Sequence, residues 1–368
     1  MILLLHNRYR TTGGEERAVE DLRWLIAAHL DEEVEVLERD SGRIGSARAA
    51  AGMLRGGLDP GEVAGAVQRT GARVVHAHNV NPDLGWRALA AARREGARVV
   101  LHLHNYRLVC AVGTCFTRGE DCTRCHGRNT APGVRLACRG SRVESAVYGA
   151  GLALHQPRLA GSADAFVVPS DFALRRLHEL GAPLGDRAHV LPSVQRSFVP
   201  DSAAARGTHA LVVSRLTAEK GVDVAIAACR RAGIPLVVAG DGPDAEALRA
   251  QAEGGDVTFT GWVDTGRLAE LRAGAGLAIV PSRYAEILPL AAAEAMAAGL
   301  PTVASRAGGL EGFVPAEGLV APGDPGALAA AAARLFGDAG AGERALAAAR
   351  ARTAPEVVAA GLRRVYAG

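Results

Sequence analysis

The chain has 368 residues, of which 49% are hydrophobic and 22% are charged, and its net charge at pH 7 is +3. This length is long for one domain and suits two, and the composition is that of a soluble globular protein. The small net charge argues against a nucleic-acid-binding function. No apolar run approaches the roughly 18 residues of a membrane span, which argues against a transmembrane protein.

Residues 1–6 form a short apolar run without a basic start or a small-residue cleavage site. We expect a β-strand here, not a signal peptide, and therefore a cytoplasmic protein.

Strand-length apolar runs alternate with segments of helical length, such as 15–30 and 83–95. This alternation predicts parallel sheets with right-handed crossovers, and hence an α/β protein with two doubly wound, Rossmann-like domains that face each other across a cleft. The predicted strands are 2–6, 34–37, 74–78, 99–104 and 165–168 in the first half, and 209–214, 236–239, 257–260, 277–280 and 302–304 in the second.

A polar stretch with two prolines at 192–207 predicts the domain boundary. We expect an N-terminal domain at 1–192, a linker at 193–207 and a C-terminal domain at 208–352. The last segment, 353–368, is predicted to be a helix that crosses back to the first domain.

Two of the predicted strands end in the pattern His-x-His-Asn, at 76–79 and 102–105. Ligands of parallel sheets lie outside the carboxyl ends of the strands, so both patterns are expected to face the cleft. His104 is a candidate site residue because of its strand-end position. We expect three other histidines to be buried and structural: His76, His102 and His155.

Only one of the 42 Lys and Arg side chains is a lysine, Lys220, and Arg215 lies five residues before it. A lysine ammonium is a compact point charge that a guanidinium does not replace at a phosphate. The pair follows a predicted strand and precedes a helix, whose N-terminus also favours anions. The pair is therefore a candidate diphosphate site, with chance in an Arg-rich chain as the alternative.

Two glutamates, Glu286 and Glu294, flank the start of another predicted helix, with Pro289 suited to its first position. One carboxylate is suited to hold a ribose and the other a transferred sugar, because carboxylates accept hydrogen bonds from vicinal hydroxyls. The surrounding alanines predict a buried helix, where a spare carboxylate is costly. With the cation pair, the glutamates indicate a sugar-nucleotide site.

Together these segments resemble the family 4 retaining glycosyltransferases of the GT-B fold, and the resemblance covers nearly the whole chain. It implies a hexosyltransferase-type enzyme that moves a sugar from a nucleotide diphosphate sugar to an acceptor hydroxyl in glycan, glycolipid or natural-product biosynthesis. The matching stretches are 214–221, 239–243, 259–263, 281–286 and 294–301 in the second half, and 6–15, 76–79 and 102–105 in the first.

The resemblance also implies roles for single residues. Arg215 and Lys220 would bind the donor diphosphate, Glu294 the donor ribose, and Glu286 the sugar ring near the reacting carbon. His104 would lie beside the transferred sugar.

Two further positions follow from the same resemblance. The loop that contains Gly14 would close over the phosphates or the acceptor, and Leu288 would be a donor contact. The chain departs from the family's Phe-Gly pair at Leu288-Pro289, where Pro289 has no N–H to offer a phosphate.

The resemblance implies a UDP-sugar donor, with a GDP-sugar as the second choice, and no catalytic metal. The acceptor would be a glycan, a lipid-linked molecule or a small molecule, with no nucleic acid as partner, and the oligomeric state is open. One alternative is a sugar-nucleotide epimerase or hydrolase of the same fold. A remote alternative is a zinc-bearing nucleic-acid-binding protein, for which the chain has few aromatic residues to stack on bases.

Five of the six cysteines lie between residues 110 and 138, in a pattern that predicts a structural zinc site in a cytoplasmic protein. Cys115 or His126 is able to replace one ligand, and the alternative is reduced cysteines without metal or a disulfide. Cys229 is predicted to be inert core. The predicted zinc ligands are Cys110, Cys122, Cys125 and Cys138.

The same insert, 106–142, holds seven arginines against Glu120 and Asp121, a charge of +5 in a chain whose total is +3. Such a segment is either a solvated loop or a surface for an anionic acceptor or anionic lipid headgroups. The second reading allows peripheral contact with the inner face of the membrane.

Overall fold

The computed structural model describes residues 1–9, 13–287 and 290–368 and divides the chain into two compact units. The first unit comprises residues 1–117, 122–194 and 355–368, and the second comprises 118–121 and 195–354. Each unit contains a six-stranded parallel sheet with helical crossovers, which confirms the predicted α/β class with two Rossmann-like halves.

The strands of the first half of the chain are β1 (Ile2–Arg8), β2 (Val34–Asp40), β3 (Val74–Ala77), β4 (Arg98–His102), the two short insert strands β5 (Phe116–Thr117) and β6 (Glu120–Asp121), β7 (Ala165–Val168) and β8 (Ala188–Val190). Its helices are α1 (Gly14–His29), α2 (Ser46–Arg55), α3 (Pro60–Thr70), α4 (Gly85–Arg94), α5 (Ala131–Arg135), α6 (Arg142–Gly161) and α7 (Asp171–Glu179).

The second half contains β9 (His209–Val213), β10 (Leu236–Ala239), β11 (Val257–Gly261), β12 (Ala275–Val280), β13 (Thr302–Ser305) and β14 (Leu319–Val320). Its helices are α8 (Val222–Ala232), α9 (Ala245–Ala252), α10 (Thr265–Ala273), α11 (Leu290–Ala297), α12 (Pro325–Leu335), α13 (Ala339–Thr353) and α14 (Pro355–Ala367).

The strand order of each sheet fixes where a ligand site is expected. The first sheet runs β2-β1-β3-β4-β7-β8, and the second runs β11-β10-β9-β12-β13-β14. The direction of winding reverses between β1 and β3 in the first sheet and between β9 and β12 in the second. Ligands of doubly wound sheets bind at the carboxyl ends of the strands at such a switch point. A ligand site is therefore expected at the residues that follow β9 and β12 and at those that end β1 and β3.

Burial explains why these segments are strands. Residues 2–5 of β1 are fully buried, and all residues of β3, β7, β12 and β13 are buried as well. A strand buried on both faces reads as a continuous apolar run, which is the pattern that the sequence shows. Two short edge strands, β8 and β14, were not predicted.

Helix α14 belongs to the first unit although it follows the whole second unit along the chain. Its Val358, Leu362 and Val365 are buried in the same core cluster as Leu25 and Ile26 of α1. Within the described residues, no helix combines the length and the apolar character needed to cross a membrane.

Candidate active site

Lys220 and Glu286 form an ion pair at the switch point of the second sheet. Lys220 ends a 3-10 turn (Ala218–Lys220) after β9, and Glu286 lies in the loop after β12. The Lys220 Nζ donates to Glu286 Oε1 at 2.7 Å, and the Glu286 residue is 5% exposed. Burial by itself would lower the pKa of Lys220, but the Glu286 carboxylate outweighs that effect and raises it. The lysine is therefore held as a cation.

Two further side chains complete the hydrogen bonding of this pair. Ser282 donates to Glu286 Oε1 at 2.6 Å, and Tyr284 donates to Glu286 Oε2 at 2.5 Å. Lys220 also donates to the Tyr284 oxygen at 3.2 Å. Sequence reasoning missed both residues, although their spacing is a usable signal: residues 282, 284 and 286 alternate, so an extended loop presents them on one side.

Two glycines allow the backbone at this site to pack closely. A Cβ on Gly221 would lie 2.1 Å from the Pro281 carbonyl oxygen, and one on Gly308 would lie 2.3 Å from the Glu286 carbonyl oxygen. Both glycines have φ of +66°, where a side chain is strained. The loops after β9, β12 and β13 therefore meet through backbone contacts that only glycine permits.

Arg283 ties the loop after β12 to the start of α8. It donates to both carboxylate oxygens of Asp223, at 2.6 and 2.5 Å, and its Nη1 also donates to the Ala218 carbonyl. Its backbone N–H donates to the Glu219 carbonyl at 2.8 Å. A bidentate arginine holds two segments in a fixed position relative to each other. Arg283 therefore fixes the turn that carries Lys220 against the loop that carries Glu286.

The other predicted donor residues are placed differently. Glu294 lies inside α11 and forms an ion pair with Arg272 of α10, a partner that the sequence did not indicate. Arg215 is exposed after β9 and forms no ion pair with a described carboxylate. Leu288 and Pro289 lie outside the described residues, so their predicted roles stay predictions.

A row of histidines lies at the carboxyl ends of the central strands of the first sheet. The strand register pairs Leu5 with Ala77 and Ala77 with Leu101, so the residues that follow fall into one row. These are His6, His78 and His102, with His76 and His104 in the neighbouring rows.

The imidazoles of this cluster pack face to face. The ring centroids of His102 and His104 are 3.9 Å apart, and those of His76 and His78 are 4.8 Å apart. Burial lowers the pKa of His76 to about 3 and also lowers the pKa values of His78, His102 and His104. These four imidazoles are therefore neutral at pH 7. His155, by contrast, is only half-buried, contrary to expectation.

Hydrogen bonds link the cluster at both ends. His78 Nδ1 and His104 Nε2 are 2.8 Å apart, and His76 Nδ1 lies 2.7 Å from the Tyr366 hydroxyl of α14. Because His78 Nε2 is buried without a partner among the residues that the structure describes, a proton there would be an unsatisfied donor. We therefore assign the proton of His78 to Nδ1, which makes His104 Nε2 the acceptor.

Three of these histidines, His76, His78 and His102, have ring nitrogens within 4.8 Å of one another. Metal coordination needs lone pairs that converge on one point in the ring planes. The His76 and His78 planes differ by only 12°, and those of His76 and His102 by 20°. Nearly parallel rings do not direct their lone pairs at a common point, so we assign no metal to this cluster.

Gly14 is the first residue of α1 and is exposed. The loop before it includes residues 10–12, which lie outside the described residues. On either side of them, the backbone N–H groups of Tyr9 and Gly13 donate to the Glu16 carboxylate at 3.0 and 2.8 Å. Burial opposes the ionisation of Glu16, but His6, whose Nε2 lies 3.9 Å from Glu16 Oε1, and the hydrogen bonds from Tyr9 and Gly13 lower its pKa to about 2. Glu16 thus anchors both ends of the glycine loop.

The cysteines of the insert line one pocket. None of them is in a disulfide, and the Gly113 N–H donates to Cys110 Sγ at 3.3 Å. A hydrogen bond with Cys115 lowers the pKa of Cys110 to about 6. Among the described residues, only the three histidines have potential ligand atoms within 4.8 Å of one another. The cysteine sulfurs are therefore not arranged as a preformed tetrahedral metal site. The lining cysteines are Cys110, Cys115, Cys122, Cys125 and Cys138.

The sixth cysteine, Cys229, lies on α8 and is 1% exposed, and burial raises its pKa to about 12. It is far from thiolate character at pH 7, in keeping with the inert core position that the sequence predicted. His126 is exposed and lies outside the set of residues that line the cysteine pocket.

Two family models match the chain. A glycosyl transferase 4-like domain matches residues 12–193, and a glycosyl transferases group 1 model matches residues 207–338. The two ranges correspond to the two halves of the chain that carry the parallel sheets.

Curated relatives match mainly parts of the chain. The GDP-mannose-dependent alpha-(1-6)-phosphatidylinositol dimannoside mannosyltransferase of Mycobacterium tuberculosis is 34% identical over 187 residues, 47% of this chain and 49% of that protein. A glycogen synthase of the same species is 40% identical over 154 residues, 39% of this chain and 37% of that protein. The chain thus spans about half the length, or less, of these relatives.

Two solved structures match over the whole chain. HepE of Anabaena in complex with UDP has 17% identity and a TM-score of 0.64, with all of both chains covered. Sucrose-phosphate synthase from Thermosynechococcus elongatus has 18% identity and a TM-score of 0.70, with 100% of this chain and 98% of that chain covered. At such identities the likeness shows the fold. With both family models matched in order from residue 12 to residue 338, the chain belongs to the family 4 and group 1 glycosyltransferases of the GT-B fold.

Proposed function

We propose that the protein is a retaining glycosyltransferase that moves a sugar from a nucleoside diphosphate sugar to an acceptor hydroxyl. The observation that carries this proposal is the ion pair between the half-buried Lys220 and the buried Glu286 at the switch point of the second sheet. The relative named as GDP-mannose-dependent and the neighbour that holds UDP support a nucleotide-sugar donor. UDP- and GDP-sugars are therefore the first donors to test.

The geometry of Lys220 suits a diphosphate. An ammonium has three N–H donors, and Glu286 and Tyr284 take two of them. No described residue takes the third, which would be available to a phosphate oxygen, and the exposed Arg215 would add a second cation. Both would stabilise the negative charge that grows on the diphosphate as its bond to the sugar breaks.

Glu286 would orient the sugar as well as the lysine. A carboxylate has about four acceptor positions, and Lys220, Ser282 and Tyr284 occupy three of them. Among the described residues no donor takes the fourth position, which would accept from a hydroxyl of the transferred sugar. Glu294 would accept from the ribose while paired with Arg272.

The reaction follows from these roles. The acceptor oxygen bonds to the anomeric carbon on the face from which the diphosphate departs, and the carbon–oxygen bond to the diphosphate breaks. The acceptor proton passes to the leaving phosphate oxygen. His104, held by His78, would lie beside the transferred sugar on the side of the first unit.

The test is thermal stability with UDP, GDP, ADP and dTDP, for wild type and Lys220→Met. A nucleotide at 100 times its dissociation constant stabilises a protein by about 2.7 kcal/mol, which is a shift of several degrees. We expect one nucleotide to shift wild type and to lose most of this effect in Lys220→Met.

The matched control is Arg267→Met, which removes a cation of the same unit that pairs with Glu270 on the surface. It should keep the wild-type response. If no nucleotide shifts wild type, or if Lys220→Met responds as wild type does, the donor site is not where we place it. Turnover of donor without acceptor would instead indicate an epimerase or hydrolase.

We also propose a structural zinc site in the cysteine pocket. Five cysteines line it, none is in a disulfide, and Cys110 accepts a backbone N–H. Four thiolates are a usual ligand set of structural zinc. Cys110, Cys122, Cys125 and Cys138 would hold the ion after the sulfurs converge, with Cys115 as the spare ligand. Zinc would fold the insert and take no part in the transfer.

Elemental analysis tests this site. We expect about one zinc per chain in wild type and in Cys229→Ser, and a loss of zinc with a lower melting temperature in Cys122→Ser. If wild-type protein that was produced with zinc supplied contains no zinc, the proposed zinc site is wrong.

A further inference from the structure

Helix α6 carries an apolar face that is open to solvent. Six of its residues lie on one side of this 20-residue helix, because their spacing follows the helical period. All six are apolar and exposed or half-buried, and Val143 and Leu154 are 76% and 54% exposed. We call this set the α6 face, and its members are Val143, Ala146, Val147, Ala150, Leu154 and Pro157.

The opposite side of α6 belongs to the interior of the first unit. Tyr148 and Leu152 pack in one cluster with Met53 of α2, and Gln156 donates to the Leu108 carbonyl at 2.9 Å. A surface helix of a soluble protein ordinarily presents polar side chains on the side away from its core. Packing within the described residues therefore accounts for one side of this helix and not for the α6 face.

The exposed apolar side chains of the protein are also grouped. Among the described residues six large ones are exposed, and three of them, Leu54, Val143 and Leu154, lie on α6 or on the adjoining α2. The two helices meet at His155, whose Nε2 lies 2.9 Å from the Leu54 carbonyl oxygen. Single exposed apolar residues are ordinary, whereas a group of them indicates an interaction surface. The other three lie on separate elements: Val190, Trp262 and Val357.

Three exposed arginines border the α6 face. Arg142 is the first residue of the helix, and Arg158 lies one turn beyond Leu154 on the same side. Arg128 comes from the insert, and its Nε donates to the Ala153 carbonyl at 2.7 Å, which places it beside the middle of the helix. None of the three arginines pairs with a carboxylate in the part of the chain that the structure describes.

The acidic residues of the two helices do not offset these cations. The one acidic residue of α6, Glu144, is paired with Arg139 at 3.0 Å, and α2 contains no acidic residue. The α6 face is thus an apolar strip with a positively charged border.

This charge pattern decides between two kinds of partner. A two-fold dimer buries the same surface of both copies, so it would bring two sets of these arginines into one interface without carboxylates to pair with them. The surface of an anionic bilayer supplies phosphate groups for the arginines and an apolar layer beneath them for valine and leucine. The bilayer therefore matches both features of the surface.

We propose that the α6 face is a peripheral membrane-binding surface for bilayers that contain anionic lipids. Val143 and Leu154 enter the boundary between headgroups and acyl chains, and the three bordering arginines contact the lipid phosphates. This assignment goes beyond the proposed transfer reaction and does not depend on it.

The experiment is flotation of the full chain with vesicles of two compositions. One is phosphatidylcholine alone, and the other is phosphatidylcholine with an equal amount of phosphatidylglycerol. We expect binding to the mixed vesicles and much weaker binding to the neutral ones. Binding to the mixed vesicles should fall as salt is raised, because salt at about 0.1 M already screens exposed charges beyond roughly 10 Å.

Val143→Glu tests the apolar strip. It removes an apolar side chain and adds a carboxylate that anionic headgroups repel, so the partition coefficient on mixed vesicles should fall by about tenfold or more. The matched control is Val357→Glu on α14, where the valine is 40% exposed, and it should bind as wild type does apart from the small effect of net charge. If Val143→Glu does not fold, Leu154→Glu replaces it.

Arg142→Gln and Arg158→Gln test the charged border. Each should weaken binding to mixed vesicles by about fivefold, the effect of one cation near an anionic surface. Arg69→Gln on α3 changes the net charge by the same amount at a surface pair with Glu35, and it should weaken binding less.

Three results would overturn the proposal. The first is a wild-type protein that does not float with mixed vesicles, or that binds both compositions equally. The second is binding by Val143→Glu that equals that of Val357→Glu. The third is a wild type that sediments as a dimer while Val143→Glu sediments as a monomer, which would make the α6 face an interface between copies.

Discussion

The carboxyl ends of the two sheets carry polar groups of different kinds. At the second sheet, Lys220 and Glu286 are charged and hydrogen-bonded to each other and to two hydroxyls. At the first sheet, His76, His78, His102 and His104 are neutral. Buried nitrogens of the first three and of His6 lack partners within the described residues. A polar network whose members are satisfied is rigid before ligand arrives, whereas unpaired buried groups are costly until something pairs with them.

This difference suggests a division of labour. Under the proposed function, the second sheet would present a preformed cation to the diphosphate of the donor. The first sheet carries buried polar groups without partners among the described residues, and the proposed function would place this sheet on the acceptor side. Substitutions at the two sheets should therefore have different effects: loss of an ion pair at the second sheet, and a changed pH dependence at the first.

The largest effect is expected from Glu286→Gln. It keeps the side-chain shape but leaves Lys220 beside a neutral group, and breaking a buried pair in this way costs about 3 kcal/mol, at the low end because Lys220 is partly exposed. Urea unfolding measures the change. Glu270→Gln, which breaks a surface pair with Arg267, should cost less than about 1 kcal/mol. Equal effects of the two changes would contradict a preformed, buried cation site.

The next effect is a pH dependence of stability that arises from the first sheet. His76 has a folded pKa of about 3, below its ordinary value of about 6.5. The unfolded chain therefore takes up a proton first as the pH falls. The contribution of His76 to the free energy of unfolding is complete above pH 6.5 and is lost as the pH falls toward 3. The limiting slope is about 1.4 kcal/mol per pH unit for each such histidine.

His76→Gln should reduce that slope by about one proton between pH 6 and pH 4, measured by urea unfolding at each pH. The control is His178→Gln, on the exposed face of α7, which should keep the wild-type slope. An unchanged slope in His76→Gln would mean that the cluster does not titrate as a buried neutral group.

The smallest effect is expected from His78→Leu, which removes the hydrogen bond to His104 Nε2. Loss of one neutral hydrogen bond is worth about 1 kcal/mol, or a transfer rate lower by roughly fivefold. The ¹⁵N shifts of His104 should show a changed tautomer population while the donor affinity stays constant. A weaker donor affinity with unchanged His104 shifts would show that His78 does not act through His104.

Much of the fold was predictable because parallel strands buried on both faces leave continuous apolar runs. The runs at 165–168 and 236–239 match β7 and β10 without any shift. The edge strands β8 and β14 are only partly buried and short, so they leave no such run. Strand β4 ends at His102, two residues before the predicted end, because His104 has already left the ladder.

At the site, residue types were predictable but their partners were not. Lys220 stands out in the sequence because it is the single lysine, and Glu286 and Glu294 because they lie in an apolar setting. Their contacts come from tertiary structure: Tyr366 reaches His76 across 290 positions of sequence, and Arg272 reaches Glu294 from another helix. No local pattern encodes such pairs.

The place of α14 has a consequence for synthesis on the ribosome. The second unit is nearly continuous along the chain, at 195–354, so it can close its core as soon as those residues have emerged. The first unit starts earlier, but the side of its core formed by Val358, Leu362 and Val365 is missing until residues 355–368 are made. The unit whose translation begins first is therefore completed last, and its apolar surface over α1 stays uncovered throughout translation of the second.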